Sequence, residues 1–232
     1  MRSTDIPFVR SLDLFAEMAE ANFDDLVKAA FLQRFPPQVQ LITEGDPADF
    51  LHIVMEGGVE LFASANGRET SIEIMRPVST FILAAILRDA PYLMSGRTVE
   101  SSQVLMIPAE KVRSVFAVDN AFARAVVREL SGRYRGVVKS LKNQKLRNAV
   151  ERLANHLLRL DLEQGGQGTL ELPIDKRTLA ALLGMTPENL SRAFATLKPY
   201  GVEVNGRAIR LTDPDALSRL AKPSPLIDDP TA

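Results

Sequence analysis

Hydrophobic spacing changes character several times along the chain. Between residues 12 and 35, Leu12, Phe15, Phe23, Leu26, Val27, Ala30 and Phe31 recur at intervals such as three, four and eight, which predicts helix. Pro36-Pro37 ends that pattern, because proline lacks the N–H a helix needs. Over residues 39–61 the apolar positions come in short runs separated by turn signals, Gly45-Asp46-Pro47 and Gly57-Gly58. Asn66-Gly67 is a hairpin turn, and residues 71–75 and 104–107 read as further strands. Short strands at close spacing predict a compact antiparallel barrel or jelly roll.

Residues 119–145 return to a helical period. Phe122, Val126, Leu130, Tyr134, Val137 and Leu141 form a near-heptad seam, suited to packing along a copy of the same helix or against its own domain. The other faces are basic, with Arg124, Arg128, Arg133, Arg135, Lys139, Lys142 and Lys145. A second helix follows over 148–160, with Val150, Leu153, Ala154, Leu157 and Leu158 apolar. Gly165-Gly166 and Gly168 then mark a flexible break, and 170–174 reads as a short strand.

Residues 175–198 hold two short helical patterns around a tight corner. Asp175 is a good N-cap, and Leu179, Ala180, Leu182 and Leu183 give the first helix its apolar stripe. Gly184 permits a turn where a Cβ would be costly, Thr186 can cap the second helix, and Pro187 suits its first position. Leu190, Phe194 and Leu197 form its inward face. Glu188, Ser191 and Arg192, at i, i+3 and i+4, share a face that points outward. This is a helix-turn-helix layout, and Asn205-Gly206 between two alternating apolar runs adds a hairpin, making it winged. A terminal helix over 213–221 and a disordered tail complete the chain.

Composition changes the picture in two ways. The chain has no cysteine, which removes disulfides, thiolate nucleophiles and cysteine-ligated clusters. Its net charge of −1 conceals an asymmetry: residues 1–118 balance to −6, residues 119–222 to +7 and the tail to −2. An acidic N-terminal half joined to a basic C-terminal half suits a separate sensor and DNA reader. No apolar run is long enough for a membrane span and the N-terminus has no signal-peptide pattern, so a cytoplasmic location is expected. No Ser/His/Asp set, metal-ligand cluster or Gly-rich phosphate loop supports an enzyme. The expected fold class is α+β. It comprises a β-roll sensor domain (1–118), a dimerisation helix (119–145), a winged helix-turn-helix domain (146–222) and a disordered tail (223–232).

This order resembles the Crp/Fnr family of bacterial transcription regulators. Gly45-Asp46-Pro47-Ala48, Leu51, Ile53-Val54 and Gly57 to Val59 match the family's β-roll signature, a cyclic-nucleotide-binding-like jelly roll. Glu188, Ser191 and Arg192 occupy the three base-reading positions of the recognition helix, and Pro187 with Glu188, Ser191 and Arg192 is similar to the nitric-oxide-responsive Dnr/NnrR branch. The resemblance implies a homodimer on a TTGA-type inverted repeat in double-stranded DNA, and RNA polymerase as a partner. Arg192 suits guanine, Glu188 cytosine and Ser191 a thymine or adenine edge. Lys176, Thr186 and Arg207 are the phosphate candidates. The nucleotide-binding members' Gly-Glu-Leu turn and Arg-Ser pair are replaced by Phe81 to Leu87 and Met94-Ser95, so neither cyclic AMP nor an iron–sulfur cluster is expected. Phe81, Leu83, Ile86, Leu87 and Leu93 with His52 form the candidate effector pocket, and haem is a candidate ligand there, with His156 the lesser alternative. Without an effector response the β-roll would serve only as a dimerisation scaffold.

Overall fold

The computed structural model describes residues 1–229 and divides into two units, Met1–Arg133 and Tyr134–Ala232. The first begins with α1 (Ile6–Arg10) and α2 (Glu20–Lys28). Two antiparallel four-stranded sheets follow. One runs β1-β8-β3-β6, from β1 (Phe31–Phe35), β8 (Ser102–Pro108), β3 (Phe50–Glu56) and β6 (Ser79–Phe81). The other runs β2-β7-β4-β5, from β2 (Gln40–Ile42), β7 (Ser95–Thr98), β4 (Val59–Ala65) and β5 (Arg68–Met75). Short helices α3 (Leu83–Arg88) and α4 (Ala109–Val118) complete it, with the start of α5 (Asn120–Leu146).

The β-roll expectation is borne out, with one correction. The helix expected over 12–35 is present only over Glu20–Lys28; residues 12–18 are turns, and Phe31 to Phe35 form a strand paired in register from Phe31↔Met106 to Phe35↔Ser102. Pairing with a buried strand overrides local spacing, as β-structure generally does. The β4–β5 hairpin turns at Asn66-Gly67, both at positive φ (52° and 74°), as its sequence demands. Gly57 is required between β3 and β4: its φ is +80°, and a Cβ there would lie 2.5 Å from the Ser101 carbonyl oxygen.

One aromatic stack organises this unit's core. Phe15 lies 6.2 Å from Phe122 at 12° and 6.2 Å from Phe23. Asp119 begins α5: one carboxylate oxygen accepts from the backbone N–H groups of Ala121 and Phe122, the other from Ala19 N–H and the Asn22 amide. The helix therefore starts tied to the segment that carries α2.

The second unit holds the rest of α5 and α6 (Ala149–Glu163), which opens on an Asn148/Glu151 capping box. Then come β9 (Thr169–Glu171), α7 (Lys176–Leu182), α8 (Pro187–Leu197), a 3₁₀ turn (Lys198–Tyr200), β10 (Val202–Asn205), β11 (Ala208–Leu211) and α9 (Pro214–Ala221). The small sheet runs β10-β11-β9. The expected wing is present but its turn is one residue later. Asn205 pairs with Ala208, so Gly206 (φ +63°) and Arg207 make the turn. The tail also differs from expectation. Pro225–Asp228 form a helical turn, α10, whereas residues 230–232 lie outside the described residues.

The seam proposed along α5 needs correction too. Phe122 and Val126 are fully buried in the first unit's core, and Leu130 packs against that core. Tyr134, Val137 and Leu141 are exposed at 71%, 65% and 56%. Exposed Val127 joins them: Val127, Leu130, Tyr134, Val137 and Leu141 step by three, four, three and four. That alternation holds one stripe along a helix, whereas repeated steps of four drift around it.

Candidate nucleic-acid interface and sensor core

The corner between α7 and α8 is built as its residues dictate. Asp175 accepts from the N–H groups of Arg177 and Thr178 and starts α7. Gly184 turns the chain at φ +62°. The Thr186 hydroxyl accepts from Asn189 N–H at 3.3 Å and starts α8, with Pro187 at its first position. Leu190, Phe194 and Leu197 point inward with Ala193. Leu179, Ala180 and Leu183 are buried in the facing segment.

Glu188, Ser191 and Arg192 all stand exposed on the outer face of α8. The Glu188 carboxyl is held below its ordinary range by its own backbone N–H and the Thr186 hydroxyl, with Arg192 adding to the effect. It is therefore an acceptor at neutral pH. Ser191 donates its hydroxyl back to the Pro187 carbonyl at 3.0 Å. Asn189, which sequence reasoning missed, accepts from the Arg192 guanidinium one turn away. An i, i+3 Asn–Arg pair in the sequence was the available signal.

The phosphate candidates are placed less uniformly. Lys176 is exposed at the start of α7, its Nζ 5.7 Å from the Phe194 ring centroid. Thr186 is engaged as a cap. Arg207 sits at the wing tip, but its guanidinium donates twice to the Leu172 carbonyl, at 3.0 and 2.8 Å, while its side chain stays 57% exposed.

The candidate effector residues are divided between packed core and surface. Phe81, Leu83 and Ile86 are buried core residues, and Leu87 is partly buried against them. Leu93 is 79% exposed. His52 is 3% exposed and stacks on Phe81 at 5.0 Å and 20°. Burial pushes its pKa down to about 4, opposed by a hydrogen bond to the Phe50 backbone, so the ring is neutral at physiological pH. A haem would have to displace Phe81, so the residues present do not fit haem at His52. His156 is likewise buried, its pKa pushed down to about 4 by desolvation and by Arg159.

Two arginines of the first unit, Arg97 and Arg133, are already partnered. Arg97 pairs with Glu60 and Glu69, both at 2.8 Å, and lies 4.3 Å from the Phe62 ring centroid. Arg133 pairs with Glu73 and Glu129, both at 3.2 Å, and donates to the Thr80 carbonyl at 3.0 Å. Met94, where the resemblance would place a phosphate-binding Arg, packs against the core.

Comparison with known proteins agrees with this division. Residues 32–119 match the cyclic nucleotide-binding domain family, and residues 151–220 match the Crp-like helix-turn-helix domain family. The chain is 25% identical over 194 residues to a CRP-like cAMP-activated global transcriptional regulator of Mycobacterium tuberculosis, covering 81% of this chain and 87% of that protein. It is 23% identical over 203 residues to the transcriptional activator protein FnrA of Stutzerimonas stutzeri, covering 85% and 82%. The solved structure of FixK2 from Bradyrhizobium japonicum superposes with a TM-score of 0.72 at 22% identity, covering 84% of this chain and 98% of that one. Among the described residues, no helix is long and apolar enough to cross a membrane.

Proposed function

We propose, from the premise that the chain belongs to the Crp/Fnr family of transcription regulators, that it is a homodimer reading a TTGA-type inverted repeat through α8. The exposed Glu188–Ser191–Arg192 face carries this reading. A capped, proline-started helix presents three polar side chains together, and its apolar side is fully engaged inside the domain. Arg192 donates to guanine O6 and N7, Glu188 accepts from cytosine N4, and Ser191 meets a thymine or adenine edge. Lys176, Thr186 and Arg207 position the helix through phosphates. The Pro187-Glu188 and Ser191-Arg192 pattern favours the Dnr/NnrR branch.

In this reading the first unit does not bind cyclic AMP. Ile82 to Ala85 offer no carboxylate for a ribose, Met94 offers no charge for a phosphate, and Arg97 and Arg133 are neutralised by neighbouring carboxylates. Burying a phosphate without a partner is very costly. RNA polymerase contact is part of the same proposal, as the usual partner of a regulator of this kind.

Operator binding by fluorescence anisotropy is the test. Arg192→Ala should weaken binding to a TTGA palindrome by about 1–3 kcal/mol and relax preference at the guanine. Unchanged affinity and preference in that variant would remove α8 as the reading helix.

A further inference from the structure

Two residues, Arg147 and Asn148, join the long helix α5 to α6, the first helix of the DNA-reading domain. Asn148 is the N-cap of α6, so the direction of α6 is fixed at Arg147. The Arg147 side chain is 7% exposed. Its guanidinium donates to both carboxylate oxygens of Asp228, at 2.6 Å each, and to Asn143 Oδ1 at 3.2 Å. Its backbone carbonyl accepts from Arg152 at 2.6 Å. Arg152 in turn donates to the Leu183 carbonyl at 2.8 Å, at the corner of the helix-turn-helix. One residue thus joins the C-terminal segment to the α7–α8 corner.

The C-terminal segment is itself laid along α5. Lys142 donates to the Leu226 carbonyl at 3.3 Å, and Lys139 to the Asp229 carbonyl at 2.6 Å. Asp228 also accepts from Ser224 N–H at 2.6 Å, closing α10 on itself. At 100° per residue, Lys139, Lys142, Asn143 and Arg147 share the helix face opposite Tyr134, Val137 and Leu141. The segment therefore grips α5 from behind and leaves the dimer seam uncovered. Its other end is anchored as well: Asn155 of α6 donates to the Ala221 carbonyl at the end of α9, at 2.7 Å.

We propose that residues 224–229 are a strap, with Arg147 and Asp228 as positioning residues, that fixes α6 on α5 and so sets the half-site spacing the dimer accepts. The proposal rests on the DNA-reading function above. Two recognition helices can meet their half-sites together only when their separation matches the operator, about one helical turn. A two-residue junction has few torsions to fix. A bidentate Arg–Asp pair, its arginine buried and its carboxylate half-buried, supplies the directional restraint that one Lys–carbonyl bond would not.

Two measurements on the full chain test this. Anisotropy titrations use palindromes with the half-sites at the preferred spacing and shifted by one or two base pairs. Asp228→Asn, and a chain ending at Pro223, should lose most of the discrimination, about ten-fold or more, while Asp228→Glu retains it. Hydrogen exchange without DNA reads the junction directly: amides of residues 147–152 and 183–186 should exchange about ten-fold faster in Asp228→Asn. Unchanged exchange overturns the strap, whatever DNA does. Wild-type protein that binds no palindrome would instead sink the DNA reading and leave the exchange result to decide the strap. A chain ending at Pro223 that binds every spacing with wild-type ratios also overturns it.

Discussion

Val137→Glu should dissociate the dimer while leaving each chain folded. Val137 is 65% exposed in the single chain, between Tyr134 at 71% and Leu141 at 56%. Full burial of a Val or Leu side chain stabilises by about 1.5–3 kcal/mol, so covering the exposed part of one is worth roughly 1–2 kcal/mol. Two-fold symmetry doubles this to about 2–4 kcal/mol per dimer, before any repulsion between two facing carboxylates. The dimer should weaken roughly 30-fold or more. An exposed substitution of this kind changes chain stability by about 0.5 kcal/mol or less. Phe122→Ala is the control at the other end of α5. Phe122 is fully buried and stacked 6.2 Å from Phe15, so its loss should cost about 3–5 kcal/mol of folding stability. Sedimentation velocity over a concentration series, paired with urea unfolding, separates the two effects. If Val137→Glu associates like wild type, α5 does not dimerise through this stripe.

Two further outcomes follow from the sensor unit and the buried rings. Isothermal titration with cyclic AMP should show no saturable binding in the micromolar range; one-per-chain binding there would refute the account of Ile82 to Ala85 and Met94. His52 and His156 are neutral in the folded chain, with pKa values near 4, whereas unfolded histidine titrates near 6.5. Between those values the unfolded state binds more protons, so stability rises with pH and is lost as pH falls from 6.5 toward 4. At pH 5 each ring should cost about 2 kcal/mol relative to pH 8, and His52→Gln should flatten the urea-derived slope. An unaltered slope would show that His52 titrates normally.

What the sequence made legible was local. Asp175, Gly184, Thr186 and Pro187 each act on their own turn, and the helix-turn-helix followed from them without tertiary knowledge. Asn66-Gly67 likewise carried its hairpin. The errors lie where a distant strand or helix decides. Phe31 has helical spacing from Val27, but β8 claims it. Asn205-Gly206 signals a hairpin, but β11 pairs one residue differently and moves Arg207 to the tip. The α5 seam was readable and misread. Steps of four from Phe122 through Leu130 mark a core-facing start, and the alternation of three and four from Val127 marks an exposed apolar stripe, the proposed dimer contact.

Charge was the least legible property, because a count of arginines does not say what each one holds. The basic half of the chain balances to +7 over residues 119–222, which by itself suggests a broad electrostatic footprint on DNA. The structure commits many of those cations elsewhere. Arg133 faces Glu73 and Glu129, Arg147 is clamped by Asp228, Arg152 donates to backbone carbonyls at the corner, and Arg207 is anchored on Leu172. Lys139 and Lys142 lie under the C-terminal segment. Several of these groups fix the frame in which α8 is presented, so their work is geometric. In the proposed reading, base discrimination rests on a narrow face, Glu188, Ser191 and Arg192, while exposed Lys176, Arg177, Lys198 and Arg210 remain for phosphates. A dimeric reader of the proposed kind would depend on holding its two recognition helices at the correct separation, which is the demand the proposed Arg147 strap would meet.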